Sequence, residues 1–110
     1  MQIEPVCRID DIPQNSACGF EVNNKGIVNN IIIVNWHNKF YIYKNHCPHT
    51  GVGLEWIPNQ FFNGDNTYLQ CSTHGALFRP EDGFCVAGPC AGKSLEKLPM
   101  TIIKKGVYLK

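Results

Sequence analysis

Short runs of apolar residues, separated by glycine, proline and asparagine, occur along most of the chain. The clearest is Ile31-Ile32-Ile33-Val34, and no stretch has the apolar spacing of a long helix. β-Branched and aromatic residues between turn-forming residues are typical of strands, so the pattern predicts an all-β fold of about ten short strands. The predicted strands span residues 3–9, 19–22, 30–36, 40–43, 61–62, 68–70, 76–79, 84–86, 100–104 and 107–109.

Two predicted turns join neighbouring strands into hairpins. Residues 37–39 are His-Asn-Lys and residues 63–66 are Asn-Gly-Asp-Asn. Asparagine and glycine tolerate the left-handed backbone angles that tight hairpin turns require. His37 is therefore predicted to be a turn residue. The remaining glycine- and proline-rich segments predict three irregular loops, at residues 45–53, 71–75 and 88–92.

Composition narrows the function classes. The 110 residues are enough for one domain. Ten Lys and Arg residues against nine Asp and Glu residues give a net charge of +1, which provides no electrostatic attraction for nucleic acid or an anionic membrane. No apolar run approaches the ~18–20 residues that cross a bilayer, and the N-terminal residues do not resemble a signal peptide. We therefore expect a cytoplasmic protein with reduced thiols.

Two clusters combine a cysteine with a histidine. Six cysteines are many for this length, and in a reducing compartment they favour metal ligation over disulfides. The clusters are Cys47-Pro48-His49 and Cys71-Ser72-Thr73-His74. Residues two apart in an extended loop face the same way, and Gly75 permits the tight turn that the second cluster needs. Two thiolates and two imidazoles suit zinc or an iron–sulfur centre, and the mixed spacing favours a two-iron cluster.

The pattern Cys-x-His followed by Cys-x-x-His resembles that of the Rieske [2Fe–2S] proteins. The Gly-Ala-x-Phe sequence after His74 and the Gly-Pro-Cys sequence at residues 88–90 resemble this family as well. The resemblance implies three small stacked antiparallel sheets in one domain of residues 1–110, with a cluster-binding subdomain at approximately residues 45–92. It implies one [2Fe–2S] cluster, with one iron held by Cys47 and Cys71 and the other by His49 and His74.

The resemblance also implies a function. Soluble Rieske-type ferredoxins carry single electrons, here from a flavin-type reductase to an oxygenase or another redox enzyme. We do not expect an enzyme, because only His37 and His46 remain for the second iron that an oxygenase needs. Two alternatives stay open: a small Rieske subunit of a larger reductase or oxygenase complex, and a structural zinc module.

The chain departs from the membrane-bound members of this family. Val52 and Thr73 stand where those proteins have a pair of bridged cysteines. Ala76 and Phe78 stand where they have a serine and a tyrosine whose hydroxyl groups bond to sulfur. These differences predict a reduction potential at the low end of the Rieske range.

The other four cysteines lie outside the predicted ligand set. Cys7 and Cys18 are predicted to be small buried apolar residues. For Cys85 and Cys90, the sequence leaves open whether they form a disulfide or remain thiols.

Overall fold

The structure, a computed structural model, describes residues 5–24, 26–45, 61–63, 67–71, 75–88 and 91–109. Within these residues the chain forms ten β-strands and one short 3₁₀ helix, Ile9–Asp11. The strands are β1 (Cys7–Arg8), β2 (Ser16–Asn24), β3 (Ile27–Trp36), β4 (Lys39–Lys44), β5 (Leu69–Gln70), β6 (Leu77–Phe78), β7 (Cys85–Ala87), β8 (Lys97–Leu98), β9 (Met100–Ile103) and β10 (Gly106–Leu109). The predicted all-β class is confirmed. Among the described residues there is no helix long and apolar enough to cross a bilayer.

The strands form three antiparallel sheets. Their strand orders are β1-β10-β9, β2-β3-β4-β8 and β5-β6-β7. We call them the terminal sheet, the central sheet and the small sheet. Three sheets are what the family resemblance implied, and this prediction is confirmed as well.

Strand β3 explains how the three sheets stack. Ile31 and Ile33 belong to a core that also contains Cys7 and Val107 of the terminal sheet. Ile32 and Val34 belong to a second core, which contains residues of the small sheet. Successive side chains of a strand point to opposite faces, so a strand covered on both sides needs an unbroken apolar run. The central sheet therefore lies between the other two.

The hairpin between β3 and β4 has the predicted turn. His37 and Asn38 have positive φ angles of 53° and 65°, which suit a two-residue hairpin turn. The buried side chain of Asn35 supports it: Oδ1 accepts the Asn38 N–H at 3.1 Å, and Nδ2 donates to the Ile12 carbonyl at 2.9 Å. His37 is thus a turn residue, as predicted.

Several strand boundaries differ from the prediction. Among the described residues 5–9 of the predicted strand 3–9, only Cys7–Arg8 form a strand, because at Ile9 the chain turns into the 3₁₀ helix, where the Asp11 carboxylate accepts the Arg8 N–H at 3.0 Å. Strand β2 is longer than the predicted 19–22, since it pairs with β3 over its whole length. Strand β8 was not predicted; its two residues pair with the end of β4.

Candidate metal centre

Of the four predicted ligands, only Cys71 lies within the described residues; Cys47, His49 and His74 lie outside them. Cys71 directly follows β5 and has no exposed surface. It belongs to the core between the central and small sheets, together with Ile32 and Val34. The small sheet thus presents this thiol to the apolar face of β3.

The loop that begins at Cys71 is closed by two backbone hydrogen bonds. The Cys71 N–H donates to the Ala76 carbonyl at 2.9 Å, and the Gly75 N–H donates to the Cys71 carbonyl at 2.8 Å. Gly75 has a φ of +72°, in the left-handed region that favours glycine. The tight turn predicted for this segment, with Gly75 as the residue that permits it, is confirmed at its two described ends.

The two arms of the hairpin predicted before Cys71 pair, while residues 64–66 of its predicted turn lie outside the described residues. Phe62 and Leu69 form an antiparallel bridge, and the Gln70 N–H donates to the Phe61 carbonyl at 2.7 Å. The ring of Phe62 stacks on that of Trp36 with centroids 5.8 Å apart, and both rings pack against the core that contains Cys71. Trp36 is the last residue of β3, so this stacking attaches the hairpin to the central sheet.

A third segment packs directly against the Cys71 loop. Gly88 has a φ of +100°, and a Cβ placed there would lie 2.7 Å from the Ala76 Cα. Only glycine allows the two backbones to approach this closely. Since Ala76 accepts the Cys71 N–H, the end of β7 is held beside the predicted ligand loop.

Cys85 is buried in the same core as Cys71. Its Sγ donates to the Ala87 carbonyl at 3.2 Å. Cys90 lies outside the described residues, so the alternatives of a disulfide or two thiols for this pair stay open.

Tyr43 makes a hydrogen bond that was not predicted from the sequence. Its buried hydroxyl donates to the Pro80 carbonyl at 2.7 Å, and this bond joins β4 to the turn between β6 and β7. Burial raises the pKa of Tyr43, so the phenol remains a proton donor. Gly83 fits against the ring, because a Cβ there would lie 2.9 Å from Tyr43 Cε1. The presence of a tyrosine in an apolar strand was a signal that its hydroxyl group needs a hydrogen-bond partner. That signal did not identify Pro80 as the partner.

The charged side chains of the small sheet lie in its β6–β7 turn. Arg79 donates to both carboxylate oxygens of Asp82, with Nε at 3.0 Å from Oδ1. This hydrogen bond holds the pKa of Asp82 below its ordinary value. The guanidinium also lies 5.0 Å from the Phe84 ring centroid. The turn is at the opposite end of the β6–β7 hairpin from Gly75 and Gly88.

Cys7 and Cys18 belong to the other core, on the far face of the central sheet. Burial raises the pKa of the Cys7 thiol from 9.0 to about 11, and Asp11 and Cys18 add to the effect. Cys7 is buried and Cys18 half-buried among apolar residues, so their predicted packing role is confirmed.

The chemistry of the site rests on Cys71 and the predicted donor set. Within the described ranges, no group of three or more His, Cys, Asp or Glu side chains is placed to hold a metal. Cys71 fits the role of a cluster ligand, because its thiol is buried at the start of a loop fixed by its own backbone. Cys47, His49 and His74 would complete a donor set of two cysteines and two histidines, which suits a two-iron cluster.

Comparison with known proteins identifies a family and a fold. A sequence-family model, described as Rieske [2Fe-2S] domain, matches residues 2–103. The resemblance inferred from the motifs and the predicted [2Fe–2S] cofactor are therefore confirmed. A search of curated proteins gave no match.

Three similar solved structures illustrate the fold. The ferredoxin of carbazole 1,9a-dioxygenase from Nocardioides aromaticivorans IC177 is 16% identical, with a TM-score of 0.70, and the match covers 96% of this chain and 93% of the ferredoxin. A complex of reduced oxygenase and oxidized ferredoxin in carbazole 1,9a-dioxygenase gives 21% identity and a TM-score of 0.72, over 96% of this chain and 89% of the matched chain. The terminal oxygenase of carbazole 1,9a-dioxygenase from N. aromaticivorans IC177 is 15% identical, with a TM-score of 0.72; the match covers 96% of this chain but 29% of the oxygenase.

Proposed function

Because the chain belongs to the Rieske [2Fe–2S] domain family, we propose that it is a one-electron carrier. We propose Cys47, His49, Cys71 and His74 as the ligands, in a cluster-binding subdomain of approximately residues 45–92 within a single domain of residues 1–110. The observation that carries the proposal is the extent of the structural match. It spans nearly all of a ferredoxin but less than a third of a terminal oxygenase, so these residues have no counterpart to the rest of that enzyme.

Each pair of proposed ligands would bind one of the two irons of the cluster. The thiolates of Cys47 and Cys71 would bind one iron and the imidazoles of His49 and His74 the other. When bound, the cluster supplies a site that accepts and releases one electron. The chain's own contribution is to bury the Cys71 thiol and fix its loop through Ala76 and Gly75.

The proposed partners are a flavin-type reductase as the donor and an oxygenase or another redox enzyme as the acceptor. The similar complex of an oxygenase with a ferredoxin supports the second assignment. We propose no catalytic role for this chain. An oxygenase's mononuclear iron needs two histidines and a carboxylate. Besides the proposed ligands, the sequence has only His46 and His37, which lies in the β3–β4 turn. The proposed location is the cytoplasm.

The direct test is to purify the protein and measure its iron and acid-labile sulfide. We expect a red-brown protein whose colour bleaches with dithionite, and a low-average-g paramagnetic resonance in the reduced state. A colourless protein that contains zinc would contradict the proposal and support a structural zinc module. Gel filtration of the lysate addresses the remaining alternative, since co-elution with a large partner would indicate an obligate subunit.

A further inference from the structure

The terminal sheet exposes apolar side chains on a strand at its edge. Strand β9 pairs with β10, and no other described strand pairs with its second side. Ile102 and Ile103, two consecutive residues of β9, are 42% and 43% exposed. Since consecutive side chains of a strand point to opposite faces, each face of the sheet presents an exposed isoleucine here. We call residues 100–105, which are β9 and the two lysines after it, the β9 edge.

The backbone of Ile102 is directed to the open side of β9. Lys104 and Lys105, with φ angles of 49° and 66°, form the two-residue turn between β9 and β10. From such a turn outward, hydrogen-bonded and non-hydrogen-bonded pairs alternate, beginning with a hydrogen-bonded pair. Ile102 and Val107 are the second pair, so they do not bond to each other. In agreement, the Val107 carbonyl accepts the N–H of Val6, directly before β1, at 2.8 Å. The N–H and C=O of Ile102 therefore point away from β10.

A strand added at the β9 edge would extend an existing core. Val107 is fully buried in the core between the terminal and central sheets, and Met100 packs against that core. Ile102 lies opposite Val107 and two residues after Met100, so its side chain is on the same face as both. An apolar residue of an added strand would cover the exposed part of Ile102. The main chain of that strand would bond to the outward N–H and C=O of Ile102.

The charge at the β9 edge is positive. Residues 97–109 contain three lysines and no acidic residue, a net charge of +3. The Nζ of Lys105 lies 3.8 Å from a carboxylate oxygen of Asp10, whereas Lys104 has no ion-pair partner among the described residues. A second copy of this chain would bring the same positive charge to the edge, while acidic residues of a different protein would be attracted to it. The charge therefore favours an acidic partner over self-association.

We propose that the β9 edge is a docking site for an extended, acidic segment of a partner protein, which adds to the terminal sheet as a further strand beside β9. The segment alternates apolar and polar residues and carries carboxylates where it passes Lys104. This site goes beyond the proposed carrier function and does not depend on it. The terminal sheet lies on the opposite face of the central sheet from Cys71, so the bound segment would leave the small sheet uncovered.

The test uses the holoprotein and an array of synthetic decapeptides in which apolar and polar residues alternate. Matched series carry glutamates, glutamines or lysines at either end, and dissociation constants are measured by fluorescence anisotropy. We expect the glutamate series to bind at least about fivefold more tightly than the glutamine series at low salt, and this preference to disappear near about 0.5 M NaCl.

Hydrogen exchange locates the bound peptide. With the tightest acidic peptide at saturation, exchange of the Ile102 amide should slow at least about tenfold, because this N–H becomes bonded to the added strand. The Ile103 amide belongs to a hydrogen-bonded pair with Gly106 in the free protein, so its exchange should not change.

Two variants separate backbone pairing from charge. Ile102→Pro removes the N–H that points to the open side, a position at which an edge strand tolerates proline. We expect it to weaken binding of the acidic peptide at least about tenfold. Lys104→Glu reverses a charge and should weaken binding about fivefold, at low salt only. The matched control is Lys93→Glu, the same change at an exposed residue whose carbonyl accepts the Cys85 N–H, beside the small sheet. Its binding should equal that of the wild type.

Several results would overturn the inference. If no acidic decapeptide bound, or if the acidic and basic series bound equally, the lysines would serve only to keep other strands away from this edge. Unchanged binding to both Ile102→Pro and Lys104→Glu, or unchanged exchange of the Ile102 amide, would place the peptide elsewhere. A wild-type dimer in sedimentation that Ile102→Pro converts to monomer would assign the β9 edge to a second copy.

Discussion

The two faces of the central sheet are built from the same strands but are covered in different ways. On one face, Ile31 and Ile33 pack against the terminal sheet, whose strands β9 and β10 pair at four successive positions. On the other face, Ile32 and Val34 pack against the small sheet, whose strands have only two or three residues. The first face is held by regular pairing, and the second depends on individual contacts. The proposed centre is on the second face, so its geometry should be sensitive to single residues that barely affect the first.

The largest expected effects come from neighbouring residues of β3 that face opposite ways. Ile32→Ala and Ile33→Ala each remove a fully buried side chain. Each should therefore lower the free energy of unfolding by about 2–5 kcal/mol, measured by urea denaturation. Only Ile32→Ala should also alter the visible absorption or accelerate bleaching in air, because only Ile32 shares a core with Cys71. Equal spectral effects of the two variants would contradict the distinction between the faces.

The next-largest expected effect is a difference in stability between alanine substitutions at two glycines that follow β7. Gly88 and Gly92 both have positive φ angles, so alanine is strained at either position. A Cβ at Gly88 would also meet Ala76 at 2.7 Å, whereas a Cβ at Gly92 would have nothing within 4 Å. We expect Gly88→Ala to be about 1–3 kcal/mol less stable than Gly92→Ala and to lose iron faster. Stability is measured by thermal unfolding and iron release by a chelator-capture assay. If the two alanine variants lost stability equally and released iron equally fast, the contact with Ala76 would have no role.

A smaller effect is expected from the bond that joins the central sheet to the small sheet. Tyr43→Phe leaves the buried Pro80 carbonyl without its donor, which should lower the free energy of unfolding by about 1–2 kcal/mol. Tyr41→Phe is the control: Tyr41 is half-buried, and the change should cost less than about 0.5 kcal/mol. Hydrogen exchange of the Gly83 amide should accelerate in Tyr43→Phe only. Unchanged exchange in that variant would mean that other contacts hold the turn.

The smallest expected effect is a loss of stability at alkaline pH, and it concerns the face of the central sheet that packs against the terminal sheet. The pKa of Cys7 is raised from 9.0 to about 11 in the folded protein, so the unfolded chain loses this proton first. Stability from the neutral thiol is therefore complete below pH 9.0 and is lost as pH rises toward about 11. Urea midpoints measured across this range should fall less steeply in Cys7→Ala than in the wild type. If the urea midpoints of the two proteins fell in parallel, the loss of stability would come from the titration of other groups. The visible absorption of Cys7→Ala should equal that of the wild type.

The sequence predicted those features that have a local chemical signal. The turn at residues 37–39 contains His37 and Asn38, which adopt positive φ angles, and the apolar run of β3 reflects burial on both faces. The pattern of cysteines and histidines is specific enough to indicate the family without the geometry. Strand β8 gave no signal, because two residues have no periodicity and pair only through the tertiary fold. The bond from Tyr43 to Pro80 spans 37 positions, a relationship that no local pattern carries.

The hydrogen bond between the Cys71 amide and the Ala76 carbonyl has an electronic consequence. An N–H group engaged in closing a loop has little left to offer the sulfur of its own residue. Extra electron density on that sulfur must then be accommodated by other dipoles, and neither Ala76 nor Phe78 carries a hydroxyl group that could contribute one. With Cys71 as a cluster ligand, as proposed, the same bond that fixes the position of this cysteine would leave the cluster harder to reduce.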